Sequence, residues 1–134
     1  MRTDLYVGGA FAPAASGRRF PVVNPATEEL LADVAEGEAA DVGRAVDAAR
    51  ACFESDGWRK LAPRDRGARL ARAADLLEQR ADEFARLETQ QNGKPLFESK
   101  IDVAMTVETL RYYAGWADKI TGATLPVSGD FFTY

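Results

Sequence analysis

Across residues 5–35 the apolar positions come in short runs separated by turn residues, whereas from residue 38 onward they recur at three- and four-residue intervals. The first regime predicts strands. Leu5-Tyr6-Val7 and Ala10-Phe11-Ala12 flank Gly8-Gly9, a pair able to take the positive φ angles of a two-residue hairpin turn. Ser16-Gly17 marks a turn, residues 20–23 a third strand, Asn24-Pro25-Ala26-Thr27 a second turn, and residues 30–34 a fourth apolar segment before Gly37. The second regime predicts three main helices. Residues 38–54 place Val42, Ala45, Val46, Ala49 and Phe53 on one stripe, with Asp41, Arg44, Asp47 and Arg50 on the surface. Ser55-Asp56-Gly57 ends that helix, Trp58 anchors the connection, and Pro63 opens the next, where its missing donor would be unpaired anyway. Leu70, Ala73, Ala74 and Leu77 form its stripe; the charges at residues 80–83 suggest a break, and Phe84 and Leu87 carry the pattern on to Asn92. Gly93 suits a left-handed C-cap, and Pro95 prevents continuation. The third helix spans residues 95–119 and has two apolar ridges. Val103, Val107, Leu110, Ala114 and Ala117 form one; Ile101, Met105, Tyr112, Tyr113 and Trp116 form the other. A helix apolar on more than one side is expected between layers.

Length and charge narrow the class. The 134 residues are one domain's worth of chain. A net charge of -4 and cations interspersed with acids argue against a nucleic-acid partner. No apolar run approaches the ~18 residues of a membrane span, and Arg2 and Asp4 stand where a leader would be apolar, so no membrane partner and a cytoplasmic location are expected.

Histidine is absent, which excludes Ser-His-Asp and Cys-His catalysis and His-ligated zinc within these residues. The one cysteine, Cys52, lies near a predicted helix C-terminus, where the dipole disfavours a thiolate, and reads as a small buried apolar residue. Gly8-Gly9 lacks any phosphate-loop spacing and reads as a plain turn. Glu98 and Asp102, four apart, could pair for acid-base work but are better explained as acids near a helix start. Six of the thirteen aromatic residues fall in the final 23 positions, a crowding that calls for a cover.

Several strings go further. NGKP at 92–95, LRYYAGWADK at 110–119 and GDFFTY at 129–134 follow YVGG at 6–9, FPVVNPAT at 20–27, VAEG at 34–37, an Ala-rich helix ending at Phe53, Trp58-Arg59 and LET at 87–89. In order and spacing they closely resemble the N-terminal region of NAD(P)-dependent aldehyde dehydrogenases, over essentially the whole chain. The resemblance implies an α/β fold: the N-terminal part of a Rossmann-like dinucleotide-binding domain, with short hairpin strands, three main helices, and a truncation at the start of the oligomerisation strand. By that reading residues 1–134 divide into strands and turns (1–37), helices (38–119), and a linker with an incomplete strand (120–134).

The activity implied is oxidation of an aldehyde to a carboxylic acid, with NAD or NADP as cofactor of the complete enzyme and none expected for the isolated chain. The family's catalytic cysteine, glutamate and asparagine, and its adenine and pyrophosphate contacts, lie downstream. No catalytic or cofactor-binding residue is therefore assigned, and Cys52 matches no catalytic motif. Two transfers remain. Many members hold a structural cation with backbone carbonyls near the strand that carries Val22 and Val23, plus an acid just before NGKP; Gln91 stands there and brings an oxygen without a charge. The helix after NGKP borders the family's substrate tunnel, which Ile101 and Met105 would face, although their spacing is also that of ordinary core contacts.

Expected partners are the aldehyde substrate and either a homo-oligomer or the remainder of the enzyme, supplied as a separate chain if the two complement. A rival from another class is a non-catalytic module that docks through its aromatic C-terminal strand. Tyr112, Tyr113 and Trp116 are expected under the chain's own helices, and Phe131, Phe132 and Tyr134 exposed.

Overall fold

A computed structural model describes residues 2–134. β1 (Leu5–Val7) and β2 (Ala10–Ala12) pair antiparallel, Leu5 opposite Ala12, through Gly8 and Gly9 at φ 61° and 88°. β3 (Arg19–Val23) and β4 (Leu30–Ala35) form a second antiparallel pair with a register shift at Val22/Val23. The Asn24 side chain accepts the Ala26 amide in the turn between them, at 2.9 Å. Arg19 joins the two pairs, donating to Asp4, Thr3 and the Asp33 carbonyl.

Five helices follow: α1 (Ala39–Glu54), α2 (Asp56–Arg59), α3 (Pro63–Gln79), α4 (Ala81–Asn92) and α5 (Leu96–Trp116). The expected break falls at Arg80, and Gly93 caps α4 at φ 84°. Residues 56–59, read as a turn and loop, are a four-residue helix whose Trp58 is half-buried beneath the Arg66 guanidinium. α5 ends three residues earlier than expected, as Lys119 folds back to the Trp116 carbonyl.

The core lies among α3, α4 and α5 and is built of small side chains: Ala74, Ala85, Ser99, Val103 and Val107 are buried. The ridge Val103, Val107, Leu110, Ala114 and Ala117 faces inward throughout. α3 closes on it at Gly67, where an added Cβ would lie 2.5 Å from the Ala114 carbonyl oxygen. Leu70 and Ala73 of the predicted α3 stripe lie outward.

The expectation of two covered faces on α5 fails. Tyr112, Tyr113 and Trp116 are exposed, as are Ile101 and Met105, because α3 and α4 both pack on the same side of α5. Tyr112 stacks only on its neighbours along the helix, Tyr113 and Trp116. Phe131, Phe132 and Tyr134 are also exposed, and residues 131–134 form no strand; they carry no ladder pairing, and the half-buried Thr133 bonds the Leu125 carbonyl instead.

α1 is rotated from its expected setting. Asp41, read as a surface acid, is buried: it accepts the Glu38 and Ala15 amides at 3.0 Å and pairs with Arg44. Ala45 and Ala48 share the half-buried face, and Ala48 meets Gly8. With that face inward, Val42, Val46 and Phe53 turn outward, and Cys52 is exposed rather than buried. The apolar stripe loses to a capping acid because a buried carboxylate satisfied by two amides and a guanidinium fixes a helix end more specifically than apolar area does.

Candidate functional site

α5 carries Ile101 and Met105, the two residues expected to face a substrate tunnel, and its inner face explains how it is held. Near its start, the buried Ser99 hydroxyl is 3.0 Å from that of the half-buried Thr89 on α4, a pairing that satisfies the buried oxygen. Along its edges run three ion-pair groups. Lys94, in the α4–α5 connection, bridges Glu88 of α4, at 3.2 Å, and Asp102 of α5. Lys100 pairs with Asp82 at the start of α4, at 3.1 Å. Arg111 reaches back to Glu78 at 2.6 Å and Asp75 at 3.1 Å, both on α3.

The protonation states follow. Asp102 first and Glu88 second raise the affinity of the Lys94 ammonium for its proton. Hydrogen bonds from Arg111 hold the Glu78 carboxyl below the ordinary carboxylate range, and those from Lys100 do the same for Asp82. These groups are charged at neutral pH and serve as ties. Asp102, read as a dipole acid that might pair with Glu98, is taken by Lys94; Glu98 stays in the first turn of α5.

On the outer face Ile101 and Met105, one helical turn apart, stand in the open with Phe97 on the turn before. Met105 edges a shallow groove of about 400 Å³ that also takes in Thr106 and Thr109. Thus the two predicted tunnel residues share one face and neither is a core contact within these 134 residues.

The predicted cation residues lie elsewhere. Val22 and Gln91 line a cavity of about 620 Å³ between the β3–β4 pair and the helices, along with Glu88 and Asp102. Val23, next to the register shift, is exposed and does not line it. Apolar side chains, Leu31, Val34, Leu87 and Phe84 among them, make most of the remaining wall. Among the described residues no group of three or more His, Cys, Asp or Glu is placed to hold a metal ion, and no helix is long and apolar enough to cross a membrane.

Sequence reasoning missed Ser99, Asp41 and the Lys94 bridge. The first shows only as a lone hydroxyl in an apolar ridge. The second had a signal, since an acid three residues after Glu38 makes a reciprocal cap, and the structure shows both of its bonds. The Lys94 bridge had none, because its acids lie six residues before and eight after it.

Comparison with known proteins covers the same ground. The profile described as "Aldehyde dehydrogenase family" matches residues 11–134. The mitochondrial aldehyde dehydrogenase of Sus scrofa is 48% identical over 133 residues, which is 98% of this chain and 26% of that protein. Aldehyde dehydrogenase family 2 member B4 of Arabidopsis thaliana is 46% identical over 96% of this chain and 24% of its own length. Among solved structures, the NAD+ complex of aldehyde dehydrogenase from Bacillus cereus superposes with a TM-score of 0.91 at 41% identity, covering 98% of this chain and 27% of that one. The chain spans about a quarter of the length of the curated relatives it matches. The neighbours have Rossmann-like domains of which this mixed α/β arrangement is a segment.

Proposed function

We propose, from the premise that the chain belongs to the aldehyde dehydrogenase family, that it works as part of an enzyme oxidising an aldehyde to a carboxylic acid with NAD or NADP. Its own contribution is an apolar wall beside the reacting aldehyde. The observation that carries this reading is the outward ridge of α5, in which Ile101 and Met105 are exposed on a helix that is otherwise pinned at Ser99, Lys100 and Arg111. Fixed apolar side chains of this kind hold an aldehyde's hydrocarbon part and exclude water while the nicotinamide, when bound, accepts hydride. No residue of this chain, the exposed Cys52 included, matches the family's catalytic cysteine, glutamate or asparagine, so the 134 residues alone are inactive and need the segments that carry them. The partners are then the aldehyde and either further copies or the rest of the enzyme. One exposed thiol, Cys52, fits a reducing compartment such as the cytoplasm.

The test is complementation. The chain is co-expressed with the remaining three quarters or so of the Bacillus cereus relative, and aldehyde-dependent NAD(P)H formation is followed. Activity in the pair and none in either part is expected. Aldehyde oxidation by this chain alone would refute the assignment of roles, as would an active pair whose KM is indifferent to Met105→Ala and Ile101→Ala.

A second reading, a non-catalytic module docking through the C-terminal aromatics, is favoured by one observation: Phe131, Phe132 and Tyr134 are more exposed than any other ring in the chain. Size-exclusion chromatography separates the readings, since a defined oligomer lost on Phe131→Ser with Phe132→Ser supports the module.

A further inference from the structure

The β3–β4 pair and the helices α3, α4 and α5 turn apolar side chains toward each other across a gap. Val22, Leu31 and Val34 on the strand side, and Leu77, Phe84 and Leu87 on the helix side, line the two walls of the cavity of about 620 Å³. The layers meet at a corner, where a Cβ on Gly93 would come within 2.8 Å of Pro25 Cγ in the turn between the strands, and they part beyond it. Protein layers normally interdigitate, with few voids larger than a water molecule. This space has the volume of about twenty waters. A two-stranded ribbon is moreover marginal by itself and needs a further layer against its apolar face. Here that face looks into the gap, and Val22, Leu31 and Val34 are each only half-buried.

We propose that this cavity is the seat of an apolar stretch of polypeptide from the remaining part of the enzyme, which forms a middle layer between the β3–β4 pair and the three helices. The inference rests on the reading that the chain works within a longer aldehyde dehydrogenase, and it adds where the two parts join. The Bacillus cereus enzyme points to the occupant: it superposes over 98% of this chain, both layers included, yet this chain covers only 27% of that protein. The two walls thus stand at a similar separation where far more chain has to be placed. Close packing leaves no gap of this size in a folded enzyme, so further chain fills it. The polar part of the lining shows which way that stretch lies. Glu88 and Gln91 stand one turn apart on α4, and Asp102 and Thr106 one turn apart on α5. The incoming segment is therefore apolar toward the strands and carries its hydrogen-bonding groups toward the α4–α5 side. A module that docked through Phe131 and Phe132 would leave this cavity as it is.

The test reads assembly and not catalysis. Cys52→Ser leaves the 134-residue chain without a native thiol, and in that background Val34→Cys and Leu87→Cys place single thiols on opposite walls. Maleimide labelling is timed for the chain alone and for its complex co-purified with the remaining part of the Bacillus cereus relative. Both thiols are expected to react about tenfold or more slowly in the complex. Ala32→Trp, which fills the cavity from the strand wall, is expected to stay folded by circular dichroism and to weaken capture of the remaining part about tenfold or more. Equal labelling in chain and complex, unimpaired capture by a folded Ala32→Trp variant, or no capture by the parent chain would each overturn the proposal. Labelling that slows with the concentration of the chain alone would put a second copy in the cavity, and labelling that speeds up after hydrophobic-resin extraction an apolar small molecule; either result also overturns it. If Ala32→Trp does not fold, the labelling rates decide. An active pair with an open cavity would sink this inference and leave the enzyme reading standing, whereas an inactive pair with a protected cavity would do the reverse.

Discussion

Gly67 gives the sharpest test of how α3 meets α5. A Cβ there would lie 2.5 Å from the Ala114 carbonyl oxygen and 3.2 Å from Ala117 Cβ. Neither obstacle can rotate away, since one is helix backbone and the other the methyl group of Ala117, the residue that caps the same helix. Moving α5 as a body would strain the bonds from Arg111 to Asp75 and Glu78. Two terms oppose each other in Gly67→Ala. Replacing a mid-helix glycine by alanine gains about 0.5–1 kcal/mol in the helix. Forcing a methyl group into a closed contact costs about 1–3 kcal/mol. The steric term wins, for a net loss of about 1–2 kcal/mol, or roughly 3–8 °C in the unfolding midpoint of a domain this size. Gly43, in α1, has nothing within 4 Å of its built Cβ and shows the first term alone. Gly43→Ala should therefore stabilise by about 0.5–1 kcal/mol, giving the same substitution opposite signs at two sites. Urea unfolding followed by far-ultraviolet circular dichroism measures both. If Gly67→Ala matches or exceeds the parent while Gly43→Ala behaves as stated, the helices do not approach as closely as described.

Three further outcomes follow from the same contacts. Arg44 first and the Ala15 amide second hold the Asp41 carboxyl below its ordinary range; such a group stabilises above its unfolded value of about 3.9 and loses that contribution as pH falls through the folded value. Asp41→Asn should thus start less stable at pH 7 and show a shallower acid limb below about pH 4, read by pH-dependent melting; an acid limb as steep as the parent's sinks this. Gly93→Ala meets both a left-handed φ of 84° and Pro25, and should cost more than the 1–2 kcal/mol or so of the backbone term, with Pro25→Ala in the same chain recovering only the steric part. Ile101→Ala and Met105→Ala should leave the isolated chain within about 0.5 kcal/mol of the parent, because both side chains are exposed; a larger loss would mean that they pack inward.

Where one principle governed a segment, the sequence was sufficient to read it. The Gly8-Gly9 hairpin, the break at Arg80, the left-handed cap at Gly93 and the whole inner ridge of α5 are as periodicity and turn chemistry require. Where two principles competed, pattern alone chose wrongly. In α1 an apolar stripe and a capping acid called for different faces, and the acid took the inside, turning Val42, Val46, Phe53 and Cys52 outward. In α5 the outer aromatics are apolar by type and yet uncovered, because periodicity states which residues share a face and not what lies against it. The candidate site divides along the same line: that Ile101 and Met105 share a face was legible in their spacing, whereas the convergence of Glu88, Lys94 and Asp102 needs the fold.

The ion pairs along α5 matter more for its rotation than for its stability. Those of Lys100 and Arg111 lie on an exposed rim, where pairs contribute little singly, and only the Lys94 bridge is part-buried. The inner contacts alone constrain rotation weakly, for the helix is apolar nearly all round and small residues on α3 would accept several settings. A slip of one residue turns a helix by about 100°, enough to carry Met105 toward the core and Val103 toward the surface. Lys94 and Lys100 near one end and Arg111 near the other, tied to two different helices, allow one setting only. These polar ties therefore favour the setting in which α5 presents Ile101 and Met105 outward, and if those two line the aldehyde site as proposed, the ties act on aldehyde selectivity without touching the aldehyde. Arg111→Met should accordingly alter the ratio of KM values for short- and long-chain aldehydes in the complemented enzyme. A uniform change in kcat with that ratio unmoved would show that Arg111 only stabilises.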